Sequence, residues 1–205
     1  NIILGTAQFG LKYGINNFLG KPGENIVHDI LSFAHGSGIH TLDTADAYGN
    51  AQNIIGTFHL KNSARFDINT KFSRSEGDDL RSMVALTLKK LKVTQVHTYF
   101  YHSFSDYISN PSLLGELVKL RSGQSIQKIG VSIYTNSEME MIIDDPDIDV
   151  IQLPFNLLDN IHQRGSLLEK AKGKNKTVQV RSVFLQGLFF KDMQTLPTLL
   201  LPLKP

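Results

Sequence analysis

Short apolar or β-branched runs recur about every thirty residues along the 205-residue chain, and this period constrains the fold more than any other feature. The runs fall near residues 2–6 (Ile2, Ile3, Leu4), 39–43 (Ile39, Leu42), 66–71, 96–102, 128–132, 149–153 and 177–183. Between them lie segments with helical spacing. Ile26, Ile30 and Ala34 fall on one face; so do Leu80, Val84, Leu88 and Leu91, with Lys89, Lys90 and Lys92 turned away. Punctuation agrees with this reading. Asn110 before Pro111 has the form of an N-cap followed by proline at the first helical position. Ser137 and Glu140 have capping-box spacing, and Gly36 and Gly38 can stop the helix that precedes Ile39.

Strand followed by helix, repeated, builds a parallel sheet covered by helices, and strands buried on both faces are expected to be apolar runs of this kind. Seven strands are visible in the sequence. A closed (β/α)₈ TIM barrel needs eight and spans roughly 250 residues. The expectation is therefore a single barrel domain over residues 1–205, incomplete before its last strand and helices, its tail ending in Leu199, Leu200, Leu201 and Pro202. A doubly wound open sheet is the alternative. Gly5, Gly10 and Gly14 fit neither of the glycine-rich phosphate-binding patterns that would favour it.

Composition narrows the function classes. Lys plus Arg is 21 and Asp plus Glu is 19, a net charge of +2, too balanced for a dedicated nucleic-acid binder. The absence of cysteine excludes disulfides, thiolate metal sites and cysteine nucleophiles. It fits a reducing compartment, here expected to be the cytoplasm. No apolar run approaches the roughly 20 residues of a membrane span, and the start carries no leader pattern.

In a barrel of this type the working residues stand at the C-terminal ends of the strands. The second run ends at Asp43, with Tyr48 in the loop beyond. The third ends at Lys71, the fourth at His102 and the fifth at Ser132; the sixth offers Gln152, the seventh Arg181 and Ser182. This set suits acid catalysis on a carbonyl. A phenol titrates near pH 10 and is a poor donor unless a nearby ammonium lowers its pKa. A carboxylate keeps the ammonium charged and in place, and a neutral imidazole hydrogen-bonds the substrate oxygen. The hydride must then come from a cofactor.

The same residues carry a likeness. Over essentially its whole length the sequence resembles the aldo-keto reductases. Gly5-Thr6-Ala7-Gln8-Phe9-Gly10 resembles their first-strand motif, and Leu42-Asp43-Thr44-Ala45-Asp46-Ala47-Tyr48-Gly49 their most specific signature. Thr70-Lys71, Tyr99-Phe100-Tyr101-His102, Ile129-Gly130-Val131-Ser132, Gln152-Leu153-Pro154-Phe155-Asn156 and Arg181-Ser182-Val183-Phe184-Leu185-Gln186-Gly187-Leu188 follow in family order. The resemblance implies a catalytic tetrad of Asp43, Tyr48, Lys71 and His102. In it Tyr48 is the general acid, Lys71 lowers its pKa, Asp43 holds Lys71 and His102 orients the carbonyl. It implies a nicotinamide cofactor, NADPH before NADH, with Ser132 and Gln152 on its carboxamide and Gly5, Thr6, Asp43, Arg181 and Ser182 among its contacts. The substrate is a small-molecule aldehyde or ketone. Three departures from the family pattern involve four positions. Ile133 stands where an Asn is common, Arg181 where a Tyr commonly stacks on the nicotinamide, and Ala51 and Gln52 where Ser and Glu are usual. A guanidinium plane can also stack on such a ring. The family's last strand and following helix supply much of its phosphate site, and the sequence ends before them.

Two other functions use the same residues: a non-catalytic nucleotide-sensing subunit on this barrel, and an isomerase or aldolase using Lys71 as a Schiff base. His28, His35, His40, His59, His97 and His162 show no metal-ligand spacing. Asp145, Asp147 and Asp149 alternate like the start of a calcium loop, but Val150 and Asn156 occupy its glycine and glutamate places. Lys170, Lys172, Lys174 and Lys176 read as a solvated helix end and turn.

Overall fold

The computed structural model describes residues 1–73 and 79–196. Its elements alternate as the period requires. They run β1 (Leu4–Gly5), α1 (Ala7–Gly10), α2 (Glu24–Gly36), β2 (Thr41–Asp43), α3 (Ala51–Lys61), β3 (Asp67–Phe72), α4 (Leu80–Leu91), β4 (Val96–Tyr101) and α5 (Phe104–Ser109). Then follow α6 (Ser112–Ser122), β5 (Ile126–Ser132), α7 (Asn136–Ile142), β6 (Val150–Pro154), α8 (Ile161–Gly173) and β7 (Thr177–Arg181). All seven strands pair in parallel with their sequence neighbours, in the order β1 to β7. The sheet curls into a half-barrel with helices on its outer face, an incomplete (β/α)₈ barrel. Among the described residues β1 and β7 each pair on one side only. Leu199, Leu200, Leu201 and Pro202 lie outside the described residues.

Alternation along each strand sorts side chains between two cores. On β3, Ile68 and Phe72 join the apolar layer beneath the helices, with Leu42 of β2, Val27 and Leu31 of α2, and Ile55 and Phe58 of α3. Asn69 and Lys71 instead bond to residues of other strands inside the curl. The helices close on glycine where they cross. A Cβ on Gly56 of α3 would lie 1.9 Å from the Lys90 carbonyl oxygen of α4.

Several local expectations shift. The buried face of α2 is Val27, Leu31 and Ala34, while Ile26 and Ile30 are exposed together with Phe33. This helix carries two adjacent apolar stripes, and periodicity alone does not say which one the sheet covers. The capping box of α7 uses Thr135 and Glu138 rather than Ser137 and Glu140. Thr135 has the same spacing to an acid two residues earlier, and there the chain is extended, as an N-cap must be. Just past the end of the fourth run, residues 104–109 form α5, whose N-cap Ser103 accepts from the Asp106 N–H. Asn110 sits at the end of α5, where its Nδ2 donates to the Asp106 carbonyl, and α6 begins at Ser112. The acidic turn before β6 is tied up by Arg121, which reaches Asp147 at 2.7 Å and Asp149 at 2.9 Å. Lys170 and Lys174 flank Asp144.

His59 is a structural histidine with a defined tautomer. It is 1% exposed. Its Nδ1 donates to the Leu91 carbonyl at 2.9 Å, and its Nε2 accepts from the Phe66 N–H at 3.4 Å. Both contacts require the neutral ring, and burial pushes its pKa below the ordinary histidine value. The unfolded chain therefore binds a proton before the folded one does. Stability is full above pH about 6.5 and falls as the pH drops below it, by up to about 1.4 kcal/mol per pH unit from His59 alone. His97 and His102 are shifted in the same direction, chiefly by burial. Melting temperatures followed from pH 7.5 to 5 should fall steadily below pH 6.5; a flat profile would contradict this assignment.

Candidate active site

The C-terminal ends of the strands open on one cavity of about 450 Å³. Asp43, Tyr48, Lys71, His102, Ser132, Arg181, Ser182, Gly5 and Thr6 all line it. Gln152 is fully buried beneath it and reaches it through Asp43. All ten residues singled out from the sequence are thus brought to one mouth of the half-barrel.

The carboxylate of Asp43 is the hub. Its Oδ2 accepts from Lys71 Nζ at 2.5 Å. Its Oδ1 accepts from Gln152 Nε2 at 3.0 Å and from Gln179 Nε2 at 3.3 Å. The chain continues inward. Gln179 Oε1 accepts from Asn69 Nδ2 at 3.2 Å, and Asn69 Oδ1 lies 3.1 Å from His97 Nδ1. Such a carboxylate is fixed by charge-assisted bonds from three sides. Its strand is tied to β1 as well, because the N–H and Oγ1 of Thr6 both donate to the Asp43 carbonyl.

Lys71 is 2% exposed. Burial pushes its pKa down, Asp43 opposes that shift, and Arg181 adds to it. Its Nζ lies 5.6 Å from the centre of the Tyr48 ring. The Tyr48 and His102 rings meet edge to face with centroids 6.2 Å apart. The Tyr48 hydroxyl is pushed up from the ordinary phenol value by burial first and then by the Asp43 charge; the cation that pulls it back is Arg181. This changes the expected division of labour. Asp43 neutralises Lys71, so the ammonium does not present a bare charge to the phenol, and Tyr48 stays protonated across neutral pH. His102 is held neutral, first by burial and then by Lys71. Its Nδ1 is 3.1 Å from Ser73 Oγ, and the Ser73 N–H donates to Asp46 at 3.1 Å.

The residues fit a nicotinamide. Its carboxamide offers an N–H₂ donor and a carbonyl acceptor. Gln152 Oε1 is a buried acceptor with no partner among the described residues, and an unsatisfied buried group of this kind is costly. Ser132, 3% exposed at the cavity wall, supplies a hydroxyl. Ile133 turns into the apolar core and offers only its carbonyl, to Arg181 Nη2 at 3.1 Å. Arg181 lies over Tyr134, its guanidinium carbon 4.2 Å from the ring centre. Ala51 and Gln52 do not line the cavity; Gln52 is buried and bonds to Thr70 Oγ1 at 3.0 Å, joining α3 to β3.

Sequence reasoning missed Tyr13, Tyr134, Phe184 and Gln186 of the lining and the interior pair Gln179 and Asn69. Tyr134 had a readable signal, its place two residues past the strand-end Ser132. Gln179 had one too, a polar residue inside the apolar seventh run. Past β7 the backbone is left-handed at Ser182 (φ 58°), Leu185 (φ 44°), Gln186 (φ 59°) and Gly187 (φ 90°). This turn is pinned by the loop after α1, where the Ile15 N–H donates to the Gln186 carbonyl at 3.0 Å.

Comparison with known proteins agrees with the fold. The curated aldo-keto reductase str7 of Strobilurus tenacellus is 23% identical over 169 residues, 78% of this chain and 50% of that protein. The chain thus spans half the length of this relative. Among solved structures, the holo form of the aldo-keto reductase AKR11C1 from Bacillus halodurans superposes with a TM-score of 0.75 at 18% identity. The match covers 96% of this chain and 66% of that one. The glycerol dehydrogenase AKR11B4 from Gluconobacter oxydans gives a TM-score of 0.68 at 22% identity, over 96% and 62% of the two chains. The model of the aldo/keto reductase family matches residues 1–199, and the chain belongs to that family.

Proposed function

We propose that this chain forms the catalytic face of a nicotinamide-dependent carbonyl reductase acting on a small aldehyde or ketone. The observation that carries this reading is the meeting of Tyr48, the Asp43–Lys71 pair and neutral His102 around one cavity. A bound nicotinamide supplies the hydride. Gln152 and Ser132 hold its carboxamide, and NADPH is the expected cofactor with NADH as the alternative.

The protein's own groups do the rest. The role assigns His102 the tautomer with its proton on Nε2, free to hydrogen-bond the carbonyl oxygen and align it, while Nδ1 accepts from the Ser73 hydroxyl 3.1 Å away. As negative charge grows on that oxygen, Tyr48 gives up its proton. An alkoxide is a far stronger base than even a phenolate raised by burial, so the transfer runs downhill. Arg181 then stabilises the phenolate until solvent restores the proton. Asp43 keeps Lys71 charged at a depth where a lone ammonium would lose its proton.

The test is the consumption of NADPH or NADH by the full polypeptide against a panel of aldehydes and ketones, with the alcohol quantified. One alcohol formed per cofactor oxidised, strictly dependent on the carbonyl, is the expected result. Tight nucleotide binding without turnover of any carbonyl would replace this reading with that of a nucleotide-sensing subunit.

A further inference from the structure

The charges facing the cavity do not balance. Asp43 and Lys71 cancel at 2.5 Å, and Tyr48 and His102 are neutral at neutral pH. Arg181 is left over. Among the described residues no carboxylate lies within 4 Å of it; its partners are the Tyr134 ring, the Ile133 carbonyl and Ser182 Oγ, all uncharged. A guanidinium keeps its charge throughout the working pH range. Among the described residues that line the cavity, Arg181 is therefore the one charge with no opposite charge beside it; Asp46, whose charge acts on His102, stands outside that lining.

We infer that Arg181 makes this site discriminate between the two redox states of its nicotinamide cofactor, holding the neutral reduced ring more tightly than the cationic oxidised one. The inference rests on the function proposed above. In that reaction the C4–H bond of the dihydronicotinamide breaks with its electron pair, a C–H bond forms at the carbonyl carbon, and Tyr48 protonates the oxygen. The carbonyl is reduced by two electrons, and the ring is left with a charge of +1. The phosphates, riboses and adenine are the same before and after, so they cancel from the ratio of the two affinities. Only the ring changes charge. A ring placed to deliver hydride to a carbonyl held at Tyr48 shares the cavity with Arg181. Two like unit charges a cavity's width apart, in surroundings with an effective dielectric near 20, repel enough to change an affinity by roughly tenfold or more. The field of Arg181 already reaches across the site, where it acts on both Tyr48 and Lys71.

The consequence is direction. The site loads with reductant and sheds the spent cofactor, while the negative charge formed on the substrate oxygen, and passed to Tyr48 as a phenolate, offsets the ring's new charge only until solvent restores the Tyr48 proton.

The measurement is calorimetric titration of the full polypeptide with NADPH and with NADP⁺ at fixed pH and salt, or with NADH and NAD⁺ if only those bind. The expected wild-type preference is at least tenfold for the reduced form, equal to a rise of about 30 mV or more in the potential of the bound couple. Arg181→Met removes the charge and should bring the ratio close to one. Arg181→Lys keeps the charge without the plane, so its ratio should stay within about threefold of wild type even if both affinities weaken. A role in ring stacking alone would not separate the two variants in this way. Equal wild-type affinities overturn the inference and leave the proposed function standing. So does a ratio unchanged in Arg181→Met or lost in Arg181→Lys. Should the methionine variant not fold, the wild-type ratio and the lysine variant decide the matter. If the wild-type protein binds neither form, both readings fall.

Discussion

Tyr48→Phe is expected to lower kcat by about 10³-fold while the dissociation constant for the nicotinamide cofactor moves less than about threefold. The substitution deletes one oxygen and keeps the ring that meets His102 edge to face. What is lost is the proton donor, and positioned general acids contribute about 10²–10⁴-fold. Burial holds this hydroxyl protonated, and no other phenol in the cavity has both the Asp43–Lys71 pair and His102 beside it. Single-turnover kinetics after mixing with excess carbonyl isolates the step from product release. Activity within tenfold of wild type would remove Tyr48 from the role of acid and shift attention to His102.

The second large effect comes from a position without a side chain. A Cβ on Gly10 would lie 1.7 Å from the Tyr48 carbonyl oxygen and 2.8 Å from the Ala51 N–H nitrogen. Both are backbone atoms and cannot swing aside, so Gly10→Ala must push α1 away from the turn that carries Tyr48. Overpacking of this kind costs about 1–3 kcal/mol. A displacement near 1 Å at the acid costs roughly 10²-fold in rate. Thermal melting and kcat should therefore fall together. Gly115→Ala on α6, where the added carbon meets nothing within 4 Å, is the internal control and should be neutral or stabilising by up to about 1 kcal/mol. If Gly10→Ala behaves like Gly115→Ala, the close approach of α1 to the Tyr48 turn does not exist in solution.

These contrasts show which parts of the site the sequence makes legible. Asp43, Lys71, Ser132 and Arg181 could be found because a parallel barrel puts strand ends on one rim, and strand ends can be read from where apolar runs stop. Tyr48 and His102 follow from motif spacing. The Gln179–Asp43 and Asn69–Gln179 bonds could not be found that way, because they join β7 to β2 and β3 through the inside of the curl, and only the register reveals them. The sign of the shift at Tyr48 was out of reach for a related reason. It depends on how deeply the ring is buried and on Lys71 being neutralised at 2.5 Å, and neither is written in the spacing of residues. On α2 the failure was different: Ile26, Ile30 and Phe33 form an apolar stripe as good as Val27, Leu31 and Ala34, and tertiary packing chose between them.

The hydrogen bond from the Gln179 amide to the Asp43 carboxylate spans 136 positions of the polypeptide. At synthesis rates of 5–20 residues per second, the ribosome emits the carboxylate roughly 7–27 s before the amide that helps to hold it. During that interval β2 and β3 can pair while the floor under Lys71 is still missing. Non-local closure of this kind slows folding, and it leaves parallel strand edges bare in the nascent chain. The cavity mouth thus becomes rigid only after β7 has emerged, and holdase chaperones acting during translation should raise the yield of active protein more than the yield of soluble protein.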